Sequence, residues 1–344
     1  MIELWARGNN IWRQLEFFPP SSSSSSDAVE PSGAGKDEGV EEEGQEGEPR
    51  DLGVYGKVFE AEGVEWVRSD GFGCIVKYNT SSYAIAGSPT PFLLLSLQEG
   101  NAAPHQDPFV ERHAQALQRN GMRNGWAMSG TGMVVDTIGI RTQLPLSLSL
   151  SPTTLTFPPP LSLPEDITHI TAGTTHFAAL TASGTLHTWG DARHPSPLGR
   201  QCSSLASPSS SSSYVPAAEP GIVTALEGIP GGGVTKVVTG GYVTAALTAE
   251  GGCYVMGAGT GDEVECLGFD VLDVAVWGGG VGVLGGEGGW WVRGYGGNGG
   301  EGEGKGEERE GGWRRVDLSE VLGEGGRVKG VFGGGEASFL VVER

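Results

Sequence analysis

Four histidines, His169, His176, His187 and His194, fall within 26 residues and raise the question of a metal centre. A zinc site needs three or four His, Cys or carboxylate ligands converging on one point. No cysteine or carboxylate completes a tight set here, and the four side chains belong to different strands and loops of a repeat. A second pattern, Gly280-Val281-Gly282-Val283-Leu284-Gly285, has the spacing of a dinucleotide-binding loop and follows the strand-like Val271–Trp277. That chemistry requires a helix opening at the third glycine. Gly286-Glu287-Gly288-Gly289-Trp290-Trp291 follows instead, which does not form a helix. There is no Gly-x-Ser-x-Gly elbow and no cysteine placed for a histidine partner. The acidic run 41–51 lacks the spaced ligands of a calcium loop. The residues therefore predict no catalytic, cofactor-binding or metal-binding set, and a chain that is not an enzyme.

The elements that carry these residues follow from composition. Among 344 residues there are 60 glycines and 20 prolines. Glycine is costly inside helices, so short strands joined by Gly-bearing turns are expected. The net charge of −20 is uneven: residues 27–51 carry −8 and residues 299–310 carry −3, leaving −9 elsewhere. An acidic field repels phosphate backbones, so direct nucleic-acid binding is not expected. Cys74, Cys202, Cys253 and Cys266 show no CxxC spacing and predict reduced, partly buried thiols. No run reaches the roughly 20 apolar residues of a membrane helix, and MIELWARGNN lacks a secretory pattern. The expected location is cytoplasmic or nuclear, with no membrane association.

Low-complexity segments punctuate a single expected domain spanning 1–344. Residues 19–50 (Ser-rich, then acidic) and the Ser/Pro-rich loop 203–213 are expected to be disordered. Residues 145–164 read as a Pro/Leu-rich linker and 297–312 as a Gly/Glu-rich loop. Asp107, Pro108 and Gly121 bracket a predicted helix over 108–119.

An internal repeat organises the rest. ITHITAGTTHFAALTASGTLHTWG (167–190) and VTKVVTGGYVTAALTAEGGCYVMG (234–257) are identical at 9 of 24 positions. VLDVAVWGGGVGVLGGEGGWWVRG (271–294) matches the second copy at 9 of 24. Each copy reads strand, glycine turn, strand, glycine turn, strand. Gly173, Gly184 and Gly190 mark the first copy, Gly240, Gly251 and Gly257 the second, Gly288 and Gly294 the third. Such a unit cannot bury both of its faces alone and must stack on neighbours. Residues 64–87 form a weaker copy and 126–135 a hairpin remnant. The chain ends are halves of one unit: 328–342 supply its first strands and 3–15 its last strand and following loop. A final blade built from both termini explains the split and removes exposed sheet edges.

The pattern AGTTHFAALTASGTLHTWG resembles the repeat of the regulator of chromosome condensation family. Ala172, Gly173, His176, Ala179, Leu180, Gly184, Trp189 and Gly190 fall on matching positions. At the N-terminus, Leu4, Trp5, Gly8, Asn9, Gln14 and Leu15 resemble the end of the same repeat. The histidine survives only as His176, with Val243, Gly280 and Ala337 in the equivalent places. The resemblance implies an all-β propeller of seven four-stranded blades, the last closed by both termini. It implies structural roles for Gly173, His176, Gly184, Trp189 and Gly190 and for their counterparts. A protein-interaction scaffold is the function expected, with unidentified protein partners. Guanine-nucleotide exchange on a small GTPase, an activity of some members, is the alternative.

Overall fold

The computed structural model describes residues 1–17, 50–70, 72–89, 93, 126–129, 133–136, 141–143, 159–164, 166–202, 215–229, 233–257, 263–294, 308–309 and 312–344. The predicted helix over 108–119 lies outside them. So does the 203–213 loop, and so do nearly all of 19–50 and most of 145–164 and 297–312. Glu308–Arg309, within the expected 297–312 loop, forms a two-residue strand against Trp313–Val316.

The described residues form an all-β propeller of antiparallel sheets. Five blades contain three long strands each, and a sixth sheet, Trp126–Met128, Met133–Asp136 and Arg141–Gln143, is a small three-stranded one. Blade I is Val64–Ser69, Gly73–Tyr78 and Ser82–Gly87; the small sheet is blade II. Blade III holds Ile167–Ala172, His176–Thr181 and Leu186–Gly190, and blade IV holds Val234–Gly240, Val243–Thr248 and Cys253–Gly257. Blade V holds Val271–Trp277, Gly280–Gly285 and Trp290–Gly294. The closing blade joins Arg327–Gly334 and Ala337–Glu343 to Ile2–Gly8 and then to Leu52–Ala61. The expected seven four-stranded blades are not found among the described residues. Blades I and II have three strands and blade V has five, because short outer strands such as Glu265–Cys266 come and go at the rim.

The two chain ends pair as expected, with Ile2 opposite Glu343 and Gly8 opposite Ala337. Register repeats from blade to blade. His176 faces Gly190, Val243 faces Gly257, Gly280 faces Gly294, Gly73 faces Gly87 and Ala337 faces Gly8. The glycine that ends one strand is thus supplied by the far N-terminus in the closing blade. The turn glycines Gly184 and Gly251 have φ of +82° and +84°, a conformation that a side chain disfavours.

The first strands of neighbouring blades contact one another around the axis. Every residue of His176–Thr181, Val243–Thr248 and Gly280–Gly285 is buried, because these second strands lie between two neighbouring blades. Strand alternation then divides each set between two cores. Phe177 and Ala179 pack with Ala127 and Val135 of blade II, whereas Ala178 and Leu180 pack with Val237 and Met256 of blade IV. Val243, Ala245 and Leu247 in turn meet Val274 and Val283 of blade V. Blade V adjusts by size: Gly282 replaces the alanine so that the fully buried Trp290 can lie where a Cβ would stand. The glycine at 282 is therefore a packing requirement of a large indole.

Candidate interaction faces

Antiparallel alternation gives the propeller two different faces. First-to-second and third-to-fourth strand connections emerge on one face, here the loop face. Second-to-third connections and the links to the next blade emerge on the other, the turn face. The segments that bracket the described ends of 19–50, 203–213 and 297–307 all lie between third and fourth strands, on the loop face. Near the axis that face is tied together by backbone bonds between blades. Thr174 N–H donates to Gly241 O at 2.7 Å, and Gly278 N–H donates to Gly335 O at 2.6 Å.

An exposed aromatic pair stands on this face at the seam between the closing blade and blade I. The segment after Gly8 is folded by its own polar side chains. The buried Asn10 accepts the Leu15 N–H at 2.9 Å, donates to Glu16 at 3.0 Å, and its N–H donates to Asp51 at 2.8 Å. The buried Gln14 donates to Asn9 O at 2.7 Å and accepts the Trp12 N–H at 2.9 Å. These bonds leave Ile11 and Trp12 58% and 53% exposed at the tip. Across the seam, Asp70 accepts the N–H groups of Phe72 and Gly73, each at 3.0 Å, in a tight turn that holds Phe72 out. Phe72 is 47% exposed, and its ring centroid lies 5.7 Å from that of Trp12. Tyr242, 5.0 Å from His194, adds a second exposed ring farther round.

His176 is fully buried, and its Nε2 lies 2.9 Å from Thr244 Oγ1 in blade IV. The Thr244 hydroxyl donates to Pro197 O at 2.8 Å, so the imidazole must be the donor to Thr244. Burial lowers its pKa to about 4, with a hydrogen bond to the Val243 backbone opposing that shift. A Cβ on Gly173 would collide with the His176 ring, so this glycine and this histidine belong together. Trp189 is buried and stacks on Phe177 with centroids 5.4 Å apart. Gly190, Gly240, Gly257 and Gly294 end strands on the loop face, whereas Gly184, Gly251 and Gly288 lie in tight turns on the turn face.

His169, His176, His187 and His194 stay apart, on three successive strands and the following loop. Among the described residues no three His, Cys, Asp or Glu side chains gather as metal ligands. Gly280–Gly285 is an inner blade strand with no helix after it. Cys74 and Cys253 are buried thiols, each pushed up to about 12 by burial. Among the described residues no helix is long and apolar enough to cross a membrane. Sequence reasoning placed Gly8, Asn9 and Gln14 in the repeat but missed Trp12 and Phe72 as a displayed pair. Two turn-forming carboxamides around an Ile-Trp dipeptide were the available signal.

Comparison with known proteins agrees with this architecture. The family model described as "Regulator of chromosome condensation (RCC1) repeat" matches residues 167–194. No curated protein sequence matches the chain. Among solved structures, a chain in the complex of Kap60 with yeast RCC1 (Prp20) is similar at 11% identity and a TM-score of 0.50. The match covers 100% of this chain and 89% of that one. Prp20p from Saccharomyces cerevisiae matches at 11% identity and TM-score 0.49, over 100% and 92% of the two chains. Human WBSCR16 matches at 16% and 0.47, over 99% and 82%. At such identities the likeness concerns the fold.

Proposed function

We propose that the chain, which carries the regulator of chromosome condensation repeat over residues 167–194, is a non-catalytic protein-interaction scaffold on a propeller of that kind. The observation that carries this reading is the exposed Ile11–Trp12–Phe72 group, fixed by buried polar side chains. Interface anchors are typically aromatic, and a preorganised anchor loses little entropy on binding. Its partners are proteins, and its place is the cytoplasm or nucleus. Gly173, His176, Gly184, Trp189, Gly190 and their counterparts in the other copies shape the blades that hold the display in place.

Guanine-nucleotide exchange on a small GTPase is the alternative, and one experiment separates the two. Exchange requires tighter binding of the nucleotide-free GTPase than of the loaded form, since only differential affinity shifts an equilibrium. The scaffold reading expects no acceleration of fluorescent guanine-nucleotide release from Ran-like or Rab-like GTPases by catalytic amounts of the protein. It also expects partners captured equally in GDP, GTP and nucleotide-free conditions. Release accelerated a hundredfold would replace the scaffold reading with exchange.

A further inference from the structure

Four first-to-second strand connections abut in a row across the loop face. They are residues 173–175 of blade III, 241–242 of blade IV, 278–279 of blade V and 335–336 of the closing blade. Thr174 N–H donates to Gly241 O, a Cβ on Gly241 would collide with Gly278 O, and Gly278 N–H donates to Gly335 O. At the far end Asn9 N–H donates to Glu336 O at 3.3 Å, so the row runs into the loop that displays Ile11 and Trp12. Five of the nine residues in the row are glycine, and only Tyr242 and Glu336 carry long side chains. A floor with so few side chains lets another backbone approach closely.

Trp277 and Glu336 flank one position on this floor. The Trp277 indole folds back over Gly280, where a Cβ would collide with it. A Cβ on Gly279 would lie 3.7 Å from Trp277 Nε1 and 3.8 Å from Glu336 Oε2, so the indole edge and the carboxylate border the same open space. Glu336 Oε1 rests against Gly278, and partial burial raises the carboxyl pKa above its usual value. The side chain is nonetheless exposed, and among the described residues it forms no ion pair. Asp191 and Glu16 on the same face are paired with Arg193 and Arg13. A partly desolvated carboxylate is favoured by a cation that arrives beside it. The indole edge offers the alkyl stem of a lysine or arginine apolar contact.

We propose that the partner engages the display through an extended segment that runs from Trp12 along this row and sets one lysine or arginine between Trp277 and Glu336. The inference rests on the reading of Trp12 and Phe72 as an interface and adds the chemistry of the segment that meets it. The probe is a phage-displayed library of random linear peptides, selected on the full chain. The peptide most enriched is then synthesised, labelled and titrated by anisotropy onto the unaltered protein and three variants. Glu336→Gln removes the carboxylate, Trp12→Ala/Phe72→Ala removes the display, and Glu41→Gln/Glu42→Gln/Glu43→Gln reduces the charge of the acidic segment 27–51. The selected peptides should carry a basic residue at a fixed spacing from an apolar one. Affinity should fall at least about tenfold on Glu336→Gln and less than about threefold on the acidic-segment variant. Replacing the peptide's basic residue by glutamine should cause the same loss on the unaltered protein and no further loss on Glu336→Gln. Peptides that need Trp12 and Phe72 but ignore Glu336 would overturn this inference and leave the scaffold reading standing. Peptides that bind the Trp12→Ala/Phe72→Ala variant undiminished would overturn both.

Discussion

The indole N–H of Trp290 donates to the Tyr55 hydroxyl at 2.9 Å, joining residues 235 positions apart. Tyr55 OH also lies 2.9 Å from Ser338 Oγ, where either hydroxyl can be the donor. Blade V is thereby fastened to the closing blade through a hydroxyl whose pKa burial raises to about 12, hydrogen bonds from Ser338 and Trp290 opposing the shift. Tyr55→Phe should cost about 1–3 kcal/mol, because it strands the buried indole donor. Urea titration of the two proteins measures it. A difference below about 0.5 kcal/mol would show that the bond contributes nothing net.

Removing residues 1–15 should destabilise the whole propeller. The deletion strips Ile2–Gly8 from Ala337–Glu343 and exposes Phe339 and Val341, which pack with Leu4 and Ala6. It also takes away Glu3, which accepts from Trp5, Lys57 and Arg344. A calorimetric melt at unchanged temperature would show that the termini do not hold the blade together.

Acid should weaken the fold through His176. Its pKa is lowered from 6.5 to about 4, so the folded state holds the neutral ring while the unfolded chain takes a proton. The stability it contributes is full above pH 6.5 and is lost as pH falls toward 4. Urea midpoints measured from pH 7 to 4 should fall more steeply for the unaltered protein than for His176→Gln. Parallel curves would remove His176 from the acid response.

Arg200 should hold the stem of the 203–213 loop. Its guanidinium donates to the carbonyls of Thr188, Val215, Pro216 and Glu219, drawing together the two sides of the described stem. Arg200→Ala should cost about 1–2 kcal/mol and speed amide exchange at Gly190, whose N–H donates to Ala217 O. Unchanged exchange there would show that the stem closes without it.

The split blade was legible because both terminal segments kept the repeat's spacing, down to Gly8 opposite Ala337. Val243 and Gly280 were placed correctly at the positions equivalent to His176 because the copies align without gaps. Leu52–Ala61 escaped notice: it follows a low-complexity segment, and fourth strands carry no repeat signature. Tyr55 was therefore invisible as a partner of Trp290. The reason for the glycine at 282 was hidden, since a sequence does not show that Gly282 makes room for the Trp290 indole. The count of seven blades came from resemblance alone, and the described residues do not reach it.

The most direct test of the scaffold reading is quantitative affinity capture with the unaltered protein and with Trp12→Ala/Phe72→Ala. Both side chains are exposed at loop tips, so the variant should melt within a few degrees of the parent. The expected result is at least a tenfold loss of the specifically captured proteins by the variant, at unchanged melting temperature. An identical set of partners in identical amounts would contradict the scaffold reading built on this pair.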